Sequence, residues 1–268
     1  MTHTAADRAP ENRVIQGLWI GPELSLMERL SIASFLSNGH EYHLYVYDDL
    51  RNLPEGATLK DGNEILPASM IFRYEKHKSF SAFSNFFRYK LLFEKGGWWA
   101  DADMVCLKPF DFGHEYVFSS EMARGREFTN CGIIKAPQGS AAMEYAWEIC
   151  RAKLPEKLVW GEVGPRLMAE SIKRLSLERF VERPHVFCPF GYDEWDEVLN
   201  PNKVWNLDDA CAVHLWNEMW RRNERDKNQS YDPNCLYELL KRKYMLARYA
   251  GSISPTETQH YGADTATA

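Results

Sequence analysis

The chain has no C-x-x-C pair, no long apolar run, no internal repeat and no large excess of charge of either sign. Each absence excludes a class. The six cysteines, Cys106, Cys131, Cys150, Cys188, Cys211 and Cys235, are scattered without zinc-site or disulfide-frame spacing and read as reduced, buried thiols. No stretch reaches ~18 apolar residues, so no membrane-spanning helix is expected. The opening MTHTAADRAPENRVIQ holds no apolar segment of the secretory kind. A cytoplasmic protein is expected, with at most peripheral contact at the inner face of a membrane. A net charge of -6 argues against a nucleic-acid binder held by phosphate contacts.

What is present is a core. Of 268 residues, 45% are hydrophobic and nine are Trp, enough to bury one large α/β domain. Val14 to Gly21 reads as a buried strand ended by Gly-Pro. Leu24 to Leu36 has helical apolar spacing and stops at Asn38-Gly39, and His43 to Tyr47 is a second strand. This β-α-β opening predicts parallel pairing with a right-handed crossover. Residues 51–67 read as loop. Phe80 to Glu94 is an amphipathic helix stopped by Gly96-Gly97, and Trp98 to Ala100 and Met104 to Leu107 are short strands. Further strands are expected at Tyr116 to Ser119, Gly132 to Lys135, Phe187 to Pro189 and Ala212 to Leu215. Helices are expected at Ser140 to Lys153, Gly164 to Leu175 and Leu236 to Tyr249. Residues 221–233 read as loop. One domain over 13–250 then lies between a disordered leader, 1–12, and a disordered tail, 251–268.

The most informative stretch is KGGWWADADMVCLKPF, Lys95 to Phe110. In an extended segment residues i and i+2 point the same way, so Asp101 and Asp103 can project together at the end of a strand. Open α/β sheets keep their ligand crevice there. Two hard oxygen ligands suit Mg²⁺ or Mn²⁺; the alternative is a solvated turn. An EF-hand is excluded, since no loop glycine or distal Glu follows in register. In the preceding helix Ser81, Asn85, Arg88 and Tyr89 fall on one polar face, which lines either a site or plain solvent. His214 follows an apolar pair and is either structural or a metal ligand. Arg221 and Arg222, at the start of a polar loop, could close on a diphosphate.

The run SFSAFSNFFRYKLLFEKGGWWADADMVCLKPF resembles the signature of the DxD-containing sugar transferases. These include the Och1-type mannosyltransferases, the bacterial capsular polysaccharide enzymes and, distantly, the clostridial glucosylating toxins. Weaker echoes cover Leu18-Trp19-Ile20-Gly21, Asn130-Cys131-Gly132, Gly164-Pro165 and His214-Leu215-Trp216-Asn217. The resemblance implies a single-domain GT-A fold, a Rossmann-like mixed sheet flanked by helices. It also implies a metal-dependent retaining glycosyltransferase. The donor would be a UDP- or GDP-sugar, the cofactor Mn²⁺ or Mg²⁺, and the acceptor a polysaccharide, capsule-type saccharide or glycolipid. Carried onto this sequence, Asp103 and His214 bind the metal. Asp101 contacts ribose and sugar, and the metal through a water. Arg88 bonds the donor sugar, Trp19 sits beside the base and Trp216 near the diphosphate, so Asp101, Arg88 and Trp216 form the catalytic group. Gln16, Asn85, Asn130, Gly164, Pro165 and Arg221 complete the donor site. Relatives often carry Asp where Asn85 stands, which leaves the donor's identity open. A nucleotide-sugar hydrolase and a non-catalytic nucleotide-sugar-binding module are the alternatives. The acceptor pocket falls to loops such as 51–79 and 183–206.

Overall fold

A computed structural model describes residues 12–246. It contains β1 (Val14–Leu18), α1 (Leu26–Ser37), β2 (Glu41–Val46), β3 (Ala57–Asp61), α2 (Ser81–Lys95), β4 (Gly97–Ala100) and β5 (Met104–Cys106). These are followed by β6 (Val117–Ala123), β7 (Arg126–Ala136), α3 (Ala141–Arg151), α4 (Leu167–Arg174) and α5 (Pro184–Phe187). The last are β8 (Ala212–His214), α6 (Asn217–Arg222) and α7 (Leu236–Lys241).

Six strands form one mixed sheet in the order β3-β2-β1-β4-β7-β6. The pairs β3–β2, β2–β1 and β1–β4 are parallel, while β4–β7 and β7–β6 are antiparallel. This is the Rossmann-like mixed sheet flanked by helices expected of a GT-A fold. A separate antiparallel pair joins β5 to β8. Strand alternation divides the apolar residues between two cores. Ile15, Trp98 and Ile133 face the layer that holds α1, Trp220 and Tyr237. Leu18, Trp99 and Ile134 face the layer that holds Phe83 and Phe87 of α2. Adjacent tryptophans thus fill both sides of one strand.

The local sequence explains the main boundaries. Ser25 caps α1 in a capping box, accepting from Met27 N at 3.2 Å while Glu28 accepts from Ser25 N at 2.8 Å. Gly96 (φ 67) and Gly97 (φ 86) end α2 in a conformation that disfavours any side chain.

Several expectations are corrected. Residues 51–67 contain β3, an edge strand pairing with β2; its polar sequence ATLKD carries no apolar alternation. Phe187 to Pro189 is not a strand: Pro184 opens the helical turn α5, which runs through Phe187. The two short strands expected near 116 and 132 are parts of a longer hairpin, β6–β7. Of the expected leader, only Asn12 is described; it is buried and accepts from Trp98 Nε1 at 3.1 Å. Residues 1–11 of the expected leader, the expected tail 251–268 and the end of the last expected helix lie outside the described residues. Among the described residues, no helix is long and apolar enough to cross a membrane.

Candidate active site

A cleft of about 1040 Å³ opens where β1 and β4 end, the crevice position of an open parallel sheet. Trp19, Asn85, Arg88, Asp101, Asp103, Asn130, Pro165, His214, Trp216 and Arg221 all line it. Two expected donor residues do not. Gln16 is the middle residue of β1, and its side chain turns away from the cleft toward the start of β4, where its amide is spent on Gly96 O (2.9 Å) and Trp98 O (3.3 Å). Gly164 is buried behind Asn85, where an added Cβ would meet Asn85 Nδ2 at 3.0 Å.

The acidic pair converges by a different route from the one expected. Asp101 to Met104 is a turn, closed by Met104 N to Asp101 O at 3.0 Å, and not an extended segment. Asp101 N donates to Gly132 O at 2.8 Å, tying the turn to β7. On the other side Leu215 N donates to Asp103 O at 2.9 Å, and the β5–β8 pairing sets Met104 opposite His214. Asp101, Asp103 and His214 thereby meet, with one ligand atom from each lying within 4.8 Å of the others.

The two carboxylates have different partners. Asp101 Oδ1 accepts from Arg88 Nη2 at 3.0 Å and from Trp99 Nε1 at 2.9 Å. Arg88 is buried, donates also to Ser84 Oγ at 3.0 Å and to Cys131 O, and lies over the Trp99 ring. Asp103 Oδ2 accepts from Asn217 N at 2.8 Å and lies 3.3 Å from His214 Nε2. Burial pushes both carboxyls up. For Asp101 burial wins over the opposing pull of Arg88 and the carboxyl stays raised. For Asp103 the His214 charge and hydrogen bond, with the Asn217 amide, reverse the effect and hold it below the usual carboxylate range. Burial alone would lower the His214 pKa, but Asp103 overrides it and raises the imidazole well above the ordinary histidine value.

The other side of His214 is equally constrained. Cys188 Sγ lies 3.9 Å from Nδ1, and the Trp216 ring stacks on the imidazole at 3.7 Å. Trp216 has a left-handed backbone (φ 56), unusual for a large residue, and its buried Nε1 has no hydrogen-bond partner among the described residues. Glycine at 132 is needed because a Cβ would meet Asn130 Oδ1 at 2.8 Å and Met104 Sδ at 3.1 Å.

Sequence reasoning missed three lining groups. Ser84 shares the polar face of α2 with Arg88, whereas Tyr89, placed on that face, is fully buried and donates to Val163 O at 3.0 Å. Glu121 on β6 is buried and accepts from Asn130 Nδ2 at 3.1 Å; burial pushes its carboxyl up. Its signal was a lone Glu inside an apolar strand. Tyr192, from the 183–206 segment, also lines the cleft. Arg221 and Arg222 are corrected in context: they close the last turn of α6, where Glu218 accepts from both, at 2.6 and 2.7 Å. Arg221 Nη2 also donates to His77 O at 2.5 Å, and Arg222 lies 4.2 Å from the Trp160 ring. These contacts clasp the cleft rim.

Comparison with known proteins follows the same lines. Residues 27–119 match the family model described as a glycosyltransferase sugar-binding region containing a DXD motif. Residues 156–250 match the alpha 1,4-glycosyltransferase conserved region. No curated protein matches the sequence. Similar solved structures include the PaToxG glycosyltransferase: 15% identity, 93% of this chain and 91% of that one covered, TM-score 0.46. Another is the apo-form glycosyltransferase GlyE of Streptococcus pneumoniae TIGR4: 11% identity, 92% of this chain and 66% of that one covered, TM-score 0.43. With a DXD-region match over residues 27–119, an alpha 1,4-glycosyltransferase match over 156–250 and the acidic pair set in a sheet-end cleft, the chain belongs to the DxD-containing glycosyltransferases.

Proposed function

We propose that the protein transfers a sugar from a nucleotide-diphosphate donor to a saccharide or glycolipid acceptor, with a divalent cation at Asp101, Asp103 and His214. The observation that carries this reading is the meeting of those three groups in one cleft. Two carboxylates and one imidazole form a donor set of hard oxygens and one borderline nitrogen that fits Mn²⁺, and less fully Mg²⁺. His214 ligates only when neutral, so binding the ion releases the proton that Asp103 otherwise retains. When bound, such an ion supplies Lewis-acid charge to the diphosphate leaving group.

The chain's own residues divide the remaining work. Trp19 offers an aromatic face at the end of β1 for the base, with Lys227 Nζ 5.7 Å from its ring. Arg88 and Asn85 face the cleft from α2 and would hold sugar hydroxyls. Arg88 also fixes the Asp101 carboxylate, leaving Asp103 the freer ligand. The Trp216 indole N–H, buried and without a partner, would donate to a phosphate oxygen. Arg221 and Arg222 hold the rim against the 74–77 and 160 segments, which helps exclude water. Retention of configuration rests on the family resemblance.

The test is a thermal-shift screen of UDP- and GDP-sugars, each with and without Mn²⁺. At ligand near a hundred times Kd, stabilisation of ~2.7 kcal/mol is expected, a rise of about 5 °C for a chain of this length. The shift should need nucleotide and metal together and vanish in Asp103→Ala. Donor turnover with and without saccharide then separates transfer from release to water. A nucleotide shift indifferent to EDTA would overturn the cation assignment.

A further inference from the structure

The protein carries a net charge of -6, yet its cleft has the opposite sign. Eight Arg and Lys line it against five Asp and Glu. Buried Glu28, just outside, neutralises Lys227 at 2.6 Å. Two formal positive charges remain in surplus among the lining residues and Glu28, with Asp193 just outside them beside the Arg124 backbone. The donor does not remove them. A nucleotide-diphosphate sugar carries about two negative charges and arrives with a divalent cation, so the pair adds close to nothing.

The surplus is located. Arg88 is matched by Asp101, while Arg221 and Arg222 share the single carboxylate of Glu218. The remaining cations, Arg73, Lys78, Arg124 and Arg225, make no ion pair among the described residues. Arg124 sits at the β6–β7 turn with φ 51, its backbone N–H held by Asp193 Oδ2 at 2.8 Å. Its guanidinium lies 5.7 Å from the Tyr192 ring, and its N–H groups have no hydrogen-bond partner among the described residues. Phe128, directly across the hairpin from Glu121 and 45% exposed, shares the face of the hairpin that borders the cleft. The far wall therefore offers aromatic surface for a sugar ring and an uncommitted cation beside it.

We propose that the acceptor is an anionic saccharide, one bearing a phosphate or a carboxylate, and that Arg124, with Arg225 of the same cleft lining, reads that charge. The inference rests on the transferase reading above and adds the acceptor's class to it. A guanidinium gives a charge-assisted, two-pronged hydrogen bond to either group. A positive mouth on an acidic protein also concentrates anions at the cleft and repels them elsewhere.

The test is a transfer assay on saccharides matched in all but one group: a free hydroxyl, a phosphate ester or a uronate carboxylate. Anionic members should be used with at least tenfold higher kcat/KM than the neutral one, and the better of the two names the charge. In Arg124→Gln and in Arg225→Gln, KM for the anionic acceptor should rise about tenfold, with the donor KM unchanged. Lys173→Gln, outside the cleft, should change neither. Equal use of the neutral saccharide would overturn the inference. So would variants that raise donor KM alone, since the cations would then serve the diphosphate. If UDP- and GDP-sugars fail to bind at all with Mn²⁺, the donor reading falls and this inference with it.

Discussion

Replacing Arg88 with methionine keeps most of the side chain's length and removes the cation facing Asp101. Arg88 is 4% exposed and its partner 25%, so the carboxylate would be stranded in a largely dry site with only Trp99 Nε1 as donor. Breaking one side of a buried pair costs about 3–5 kcal/mol. For 268 residues an unfolding entropy of ~2.1 cal/mol/K per residue gives a Tm fall of about 5–9 °C. An exposed pair such as Arg151–Glu148, 59% and 46% exposed, should lose less than ~0.5 kcal/mol on Arg151→Met. The loss depends on pH with a definite sign. Asp101 already has a raised pKa, and without Arg88 it rises further above its unfolded value. The folded variant then holds its proton more tightly than the unfolded chain, so the variant weakens as pH rises. Differential scanning calorimetry at pH 5 and pH 8, without metal, should show the larger penalty at pH 8. Asp101→Asn in the Arg88→Met background should restore much of the stability, because the charge left without a partner is gone. A Tm fall under ~2 °C at pH 8, or no restoration in the double variant, would refute the reasoning.

Trp19→Ala should raise donor KM about tenfold with little change in kcat, since base stacking is worth ~1–3 kcal/mol and is made equally in ground and transition states. An unchanged KM removes Trp19 from the donor site. Gly132→Ala should cost about 1–3 kcal/mol and weaken Mn²⁺ binding by calorimetry, because the added methyl also lies 3.4 Å from His214 Cε1. A wild-type Tm would show that β7 has room to move. The His214–Asp103 pair of the metal-free protein should be strongest in mildly acid solution. His214 has a raised folded pKa, so its contribution is full below about 6.5 and is lost as pH climbs through the folded value. Asp103 has a lowered one, so its contribution is present above about 3.8 and is lost as pH falls below that. The stability gap between wild type and His214→Asn, from urea midpoints, should narrow between pH 6 and 9; a widening gap contradicts the assignment.

The sheet was legible where alternation and glycine act together. Trp98 and Trp99 announce a strand buried on both faces, and Gly96-Gly97 announce the stop before it. Arg88 and Asn85 were legible from helical spacing alone, and Asp101 and Asp103 from their chemistry. What failed was the geometry joining them: an i, i+2 pair suits a strand, yet the chain turns between Asp101 and Met104. β3 escaped notice because an exposed edge needs no apolar face. Glu121 escaped because its role depends on Asn130 across the hairpin, a partner that no local pattern reveals. Gln16 was misplaced for the opposite reason: a strand residue's type does not say which way along the sheet its side chain reaches. Much of 152–211 is built of single turns and short helical segments, where periodicity has nothing to act on.

The two-stranded pair β5–β8 has a consequence for how the protein is made. Asp101 and Asp103 leave the ribosome more than a hundred residues before His214. The first four strands of the sheet can assemble around α1 and α2 while the proposed ligand set is still incomplete. Only when Ala212–His214 zips antiparallel onto Met104–Cys106 does the imidazole reach the carboxylates. Such a late, long-range contact is slow to form, and a ligand that binds only the finished fold stabilises that last step. Cation capture would therefore act as a proofreader of chain completion: a product truncated before residue 212 would hold the acidic pair and still fail to retain the ion.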